Sequence, residues 1–189
     1  IDKGAWEYLA YELALNAGVK MASCKIHKIS GKHHTFFTKR FDRENMERIH
    51  FASAMTMTGN SEDTIRDNTA SYLDIAEFIS TYGTAIEENL HQLWRRIVFN
   101  IAISNTDDHL RNHGFLLTNE GWVLAPAYDI NPSIDKEGLA LNIDTDNNAL
   151  DYELAKNVGE FFRLDSKVMN LIIKEVRHSV QGWGKIADQ

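Results

Sequence analysis

The sequence is poor in several things, and each shortage removes a class of protein. It has a single cysteine, Cys24, so neither an internal disulfide framework nor a cysteine-ligated zinc site can form, and this usage fits a reducing, cytoplasmic compartment. No apolar run approaches the ~20 residues that span a bilayer, and no secretory-leader pattern stands at the front. Positive charge is in deficit: 20 Lys and Arg against 27 Asp and Glu leave a formal charge of −7. That balance argues against nucleic-acid binding by the chain as a whole, though not against a local basic face. Internal repeats and low-complexity tracts are absent, and residue 1 is Ile rather than Met, which suggests a piece of something longer.

What remains is ordinary globular material. A hydrophobic share of 43% and a charged share of 25% over 189 residues allow one substantial core or two small lobes. Trp6, Leu9, Ala10, Leu13 and Ala14 recur at helical spacing and predict a helix over 2–17, closed by Gly18. "CKIHKI" (24–29) and "HTFFTKRF" (34–41), joined through Ser30-Gly31-Lys32, read as a β-hairpin. A helix is expected over 44–58, a polar loop over 59–68, and an amphipathic helix over 69–82 ending at Gly83. The strongest period lies in 85–103, where Ile86, Leu90, Leu93, Trp94, Ile97, Val98 and Ile101 form one stripe. "HGFLLTNEGWVLAP" reads as two strands around Asn119-Glu120-Gly121, followed by the loop "AYDINPSIDKEG" and helices over 151–162 and 166–181. Met55, Met57, Phe161, Phe162, Met169, Leu171 and Ile172 are expected in the core, with Trp183 packing near the end. The order implies an α+β, mostly helical fold: a small mixed lobe, then a helical lobe.

Chemistry concentrates in "SNTDDHLRNHGF" (104–115), directly after the strongest helix. Asp107 stands five residues before Asn112, and Asp129 follows the next hairpin. Helix, loop with Asp and Asn five apart, hairpin, then Asp is the layout of protein kinases. There the first Asp accepts the proton of the attacking hydroxyl, and the Asn and later Asp hold Mg²⁺ on the nucleotide phosphates. Magnesium is a hard cation that takes oxygen ligands. Asp108 is only four residues before Asn112, so Asp107 is the better base and Asp108 is expected to be a solvated neighbour. His33 and His34 are consecutive on a strand and point to opposite faces, which disfavours a shared metal. "DTDNNALDYELA" (144–155) has Asp144, Asp146 and Asn148 in calcium-loop register, but Ala149 replaces the required Gly and Ala155 the bidentate Glu.

"NTDDHLRNHGFLL" followed by "LAPAYDINPS" resembles the signature of the HipA-like serine/threonine kinases, whose catalytic loop runs T-D-x-H-x-K-N and whose Y-D-[IL] segment replaces D-F-G. "KRFDR" (39–43) is similar to that family's hinge, and "WEYLAYELALNAGV" (6–19) to its small-lobe helix, with Glu7 at the motif's Glu. The resemblance implies a protein-kinase-like fold, with a partial small lobe over 1–42 and a helical catalytic lobe over 43–189. It implies Asp107 as catalytic base, Asn112 and Asp129 as Mg²⁺ ligands, and His109 near the phosphates. Lys39, Arg40 and Phe41 would line the adenine, the first and third through backbone contacts, while Tyr128, Ile130 and Asn131 would flank the metal Asp. The cofactors implied are ATP and Mg²⁺. The implied partners are a protein substrate, such as a translation component, and a small DNA-binding antitoxin of a bacterial toxin–antitoxin pair, with DNA reached only through the antitoxin and no membrane. Arg111 departs from the family's Lys, keeping the charge but not the point-ammonium geometry. No Gly-rich loop or strand Lys precedes Glu7, so the isolated chain is expected to lack the phosphate clamp and to bind ATP weakly. Two other readings stay open: a non-catalytic interaction module with a kinase shape, and a metal-dependent phosphohydrolase.

Overall fold

Asp2 stands just before the first apolar-periodic residues and caps the helix they form. In the computed structural model, which describes residues 2–61, 63, 67, 69–133 and 137–187, its Oδ1 accepts from the backbone N–H of Ala5 at 3.2 Å. That contact satisfies one of the donors a helix start leaves open. Helix α1 (Lys3–Asn16) buries Leu9, Ala10, Leu13 and Ala14. The same carboxylate accepts from the backbone N–H of His34 at 3.0 Å and meets its Nδ1 at 2.6 Å, which ties α1 to a hairpin of β1 (Cys24–His27) and β2 (Thr35–Thr38). The strands are antiparallel with Cys24 opposite Thr38, and Gly31 turns between them at φ +77°.

The helix and hairpin meet at Gly4, where an added Cβ would stand 2.4 Å from the carbonyl oxygen of His34. Gly4→Ala is therefore expected to lower stability by about 1–2 kcal/mol, the cost of overpacking offset in part by the better helix propensity of Ala. A lower urea midpoint at unchanged slope is the expected result; an unshifted midpoint would show that the junction yields freely.

The helix expected over 44–58 does not form. Asn45 and Met46 adopt positive φ (45° and 74°), and the chain folds back so that β3 (Arg43–Glu44) pairs with β4 (Glu47–Arg48). Phe51–Ser53 continues as β5, and only Ala54–Met57 (α2) is helical, capped by Ser53. The override is tertiary: β5 finds its partner more than 60 residues away, with Ala52 opposite Phe115. Of the loop expected over 59–68, residues 62, 64–66 and 68 lie outside the described residues.

Helix α3 (Tyr72–Tyr82) opens on a capping box between Ser71 and Asp74 and stops at Gly83. Helix α4 (Ile86–Ile103) runs through the hydrophobic core; Leu90, Leu93, Trp94, Ile97, Val98 and Phe99 are each 0% exposed. The Trp94 indole N–H donates to the Ala155 carbonyl at 2.9 Å. Strands β6 (Gly114–Thr118) and β7 (Gly121–Leu124) complete a β5–β6–β7 antiparallel sheet, as the second hairpin pattern predicts.

The C-terminal part is α5 (Tyr152–Asn157), a 3₁₀ turn (Gly159–Phe162), α6 (Ser166–Gln181) and α7 (Trp183–Ala187). The expected 151–162 helix breaks after Asn157, where Gly159 packs directly under the Met169 sulfur. Phe162, Met169 and Ile172 are core residues as expected, but Phe161 and Leu171 stand 53% and 54% exposed. Leu171 falls outside the stripe of Met169, Ile172, Ile173 and Val176 that α6 buries. Met55 and Met57 pack against the core half-buried, and Trp183 lies against Trp6 with ring centroids 6.3 Å apart. No helix among the described residues is long and apolar enough to cross a membrane.

Candidate active site

Helix α4 ends in a left-handed residue, Ser104 at φ +54°, which throws the chain off the helix axis and starts the polar loop. Asn105 and Thr106 turn inward and are buried, whereas Asp107 is exposed. A 3₁₀ turn over Leu110–Asn112 brings the chain back, with the Asn112 N–H on the His109 carbonyl at 2.8 Å. The Asn112 carboxamide nitrogen donates to the Asp107 carbonyl at 3.3 Å, so the five-residue spacing closes on itself across the loop. Asn112 is buried, and its carboxamide oxygen is the side chain's remaining hard ligand.

Asp108 is not the solvated carboxylate that spacing suggests. It is 2% exposed, and its Oδ2 accepts from the Tyr72 hydroxyl at 2.6 Å, from Asn100 Nδ2 at 2.6 Å and from His113 Nε2 at 2.8 Å. Burial by itself would raise its pKa; the charge and hydrogen bond of His113, with the Tyr72 hydrogen bond and the charge of Arg96, outweigh burial and hold it below the ordinary value. Arg96, from α4, is likewise buried, and its guanidinium donates to the Ala125 carbonyl at 2.6 Å. Burial brings Arg96 down to about 10, opposed by the charge of Asp108.

The second half of the site follows β7. Ala127 bonds with the segment after α1, its N–H donating to Lys20 O at 2.8 Å and its carbonyl accepting from Ala22 N–H at 2.9 Å. The next residue, Tyr128, donates its hydroxyl to the Arg111 carbonyl at 2.7 Å and so links this segment to the polar loop. Burial pushes Tyr128 up to about 12. Asp129 sits at φ +56°, a left-handed position that Asp tolerates better than most residues, and accepts from Asn131 Nδ2 at 3.2 Å.

These segments border a cleft of about 460 Å³ that gathers Glu7, Lys39, Arg40, Phe41, Tyr128 and Asp129, together with Thr38, Asp42, Phe51 and Arg111. Phe41, Phe51 and Tyr128 form one aromatic wall, with centroids 5.4 Å apart for Phe41–Tyr128 and 5.5 Å for Phe41–Phe51. The Lys39 N–H is already given to Ser23 O at 2.7 Å, which leaves its carbonyl for any backbone contact. Arg40 grips Asp42 through two hydrogen bonds of 2.8 and 2.5 Å, holding that carboxyl below the usual range. Glu7 is raised, first by burial and then by the charge of Asp129; both carboxyls border the cleft.

Asp107, His109, Asn112, Ile130 and Asn131 do not border this cleft. Ile130 is a core residue at 5% exposure, and His109 Nδ1 is buried without a hydrogen-bond partner among the described residues. Sequence reasoning missed Phe51, Tyr72, Arg96, Asn100 and His113. For Asn100 a signal existed: it lies at i+7 from Leu93 and i+3 from Ile97, a polar side chain on the apolar stripe.

The family described as HipA-like C-terminal domain matches the chain over residues 2–183. No curated protein matches it. Among solved structures it is similar to a chain of the Shewanella oneidensis MR-1 toxin–antitoxin complex of HipA, HipB and operator DNA, with a TM-score of 0.77 at 20% identity. That match covers 96% of this chain and 48% of the other, so the chain spans about half the length of that relative. It is also similar to the Helicobacter pylori proinflammatory kinase CtkA, with a TM-score of 0.61 at 11% identity, covering 98% and 84% of the two chains. Likeness at these identities establishes a kinase-like fold.

Proposed function

We propose that this chain, which belongs to the HipA-like C-terminal domain family, is the catalytic lobe, with part of the small lobe, of a protein serine/threonine kinase. The observation that carries the reading is the joining of the two half-sites: the Tyr128–Arg111 hydrogen bond fastens the Asp129 segment to the loop holding Asp107 and Asn112, beside an aromatic cleft. Phosphoryl transfer asks a protein mainly for positioning and charge stabilisation. In this reading Asp107 accepts the proton of a substrate hydroxyl, and Phe41, Phe51 and Tyr128 offer an apolar face to a nucleotide base. Asn112 and Asp129 would hold magnesium, a fit supported by the oxygen chemistry of their side chains. Bound magnesium supplies neutralisation of charge on the β- and γ-phosphates. Two protein ligands suffice because this ion keeps waters and phosphate oxygens as the rest of its shell. Among the described residues no three His, Cys, Asp or Glu side chains group as a metal centre, which disfavours the phosphohydrolase reading.

One observation favours an added or alternative role in binding. The Shewanella chain was solved with HipB and operator DNA, and this chain spans about half of it. A small antitoxin partner, with DNA reached through it, is the corresponding proposal here, in the cytoplasm where Mg-ATP is available.

Calorimetric titration of the intact gene product with Mg-ATP tests the nucleotide reading. Wild type is expected to bind, and Asp129→Asn to weaken binding at least about tenfold in magnesium, the loss of roughly 1.4 kcal/mol. A wild-type protein that binds no nucleotide would leave the interaction module as the better reading.

A further inference from the structure

The loop that holds Asp107 and Asn112 contains a second pair with the same five-residue spacing, one position on: Asp108 and His113. The outer pair meets through the Asn112 amide and the Asp107 carbonyl. The inner pair meets side chain to side chain at 2.8 Å, with both partners 2% exposed. Each inner residue is thus the chain neighbour of one outer residue, and fixing Asp108 and His113 fixes the main chain from which Asp107 and Asn112 project.

The inner pair is itself fixed from two helices. Tyr72, at the start of α3, donates to Asp108 and sets its ring edge-on to the His113 ring, with centroids 5.7 Å apart. Asn100, near the end of α4, donates to Asp108 and accepts from Asn105 Nδ2 at 3.1 Å. Arg96, one helical turn earlier, carries its charge toward Asp108 and donates to the Ala125 carbonyl, four residues before Asp129. Hydrogen bonds from Tyr72, Asn100 and His113 thus hold the first segment of the site, and one from Arg96 holds the second.

We propose that Asp108, with Tyr72, Asn100, Arg96 and His113, is a positioning unit that sets where Asp107, Asn112 and Asp129 stand, none of its members contacting substrate. This rests on the kinase reading given above. A hydrophobic filling of the same space would pack as well but would carry no directional bonds. Three donors converging on one carboxylate oxygen specify the placement of the loop, because any displacement leaves buried polar groups unsatisfied.

The test uses the intact gene product and two variants, Tyr72→Phe and Asp108→Asn, each assayed below its own unfolding temperature. Tyr72→Phe keeps the ring on His113 and removes only the hydroxyl, so it serves even where Asp108→Asn fails to fold. Two readings are taken: amide hydrogen exchange across 105–113 and 125–129, and kcat and KM for γ-phosphoryl transfer. The proposal expects exchange in both segments to rise about tenfold, and kcat to fall about tenfold, with the KM for ATP rising by a clearly smaller factor because Asn112 and Asp129 are shifted rather than removed. Unchanged exchange, or faster exchange with unchanged kcat, overturns it. Equal loss in kcat and in nucleotide affinity also overturns it, since that pattern belongs to general loosening of the cleft. A wild type that exchanges as a well-ordered loop yet transfers no phosphate defeats the kinase reading instead, which the exchange data separate from failure of the positioning unit.

Discussion

Asp107→Ala in the intact gene product is expected to lower γ-phosphoryl transfer by about 10²–10⁴-fold, the usual worth of a positioned general base. The KM for ATP should stay within about threefold, because Asp107 does not border the cleft proposed to take the nucleotide. Stability should stay within roughly 0.5–1 kcal/mol, since the side chain is exposed. The combination is diagnostic: a base acts in the transition state, so its loss appears in kcat rather than in ground-state binding. Full activity in this variant would remove Asp107 from the chemistry.

Its neighbour is expected to behave in the opposite way. Asp108→Ala leaves three donors without their acceptor and removes the negative charge that favours the buried Arg96 cation, and breaking such a buried charged group costs about 3–5 kcal/mol. Against total stabilities of about 5–15 kcal/mol, that loss is a large fraction of the whole and should lower the urea midpoint clearly. The effect carries a pH signature. A folded-state pKa held below the ordinary 3.8 means that the folded form takes up the proton less readily than the unfolded chain. The stabilisation is therefore complete above that ordinary value and drains away as pH falls below it. Urea midpoints compared at neutral pH and near pH 3 should converge between wild type and variant as the acid limit is approached. A gap that stays constant with pH would show that the carboxylate's charge contributes nothing.

The sequence made the long elements legible and obscured those that depend on distant partners. The α4 stripe, α1 and both hairpins follow from local periodicity and turn residues. The segment after Asp42 was not legible, because β5 is a strand only by virtue of pairing with β6. That misreading also hid Phe51, which completes the aromatic wall. In the candidate site, the resemblance named six residues that the fold brings to one cleft: Glu7, Lys39, Arg40, Phe41, Tyr128 and Asp129. Spacing separated Asp107 from Asp108 but misjudged the surroundings of the second. A count of residues to Asn112 carries no information on which side of the loop faces the core. The clue lay elsewhere, in Asn100 on an apolar stripe and in Arg96 one turn before it, two polar side chains that a buried helix face keeps only where partners exist.

Transfer of the γ-phosphoryl group is the central claim, and it has a direct measurement. The intact gene product is incubated with γ-labelled ATP and a protein acceptor, with and without magnesium, and label on Ser or Thr hydroxyls is counted. The account predicts magnesium-dependent labelling by the wild type that disappears in Asp107→Ala while that variant remains folded. No labelling by a folded, nucleotide-bound wild type, or labelling that survives loss of Asp107, would contradict it.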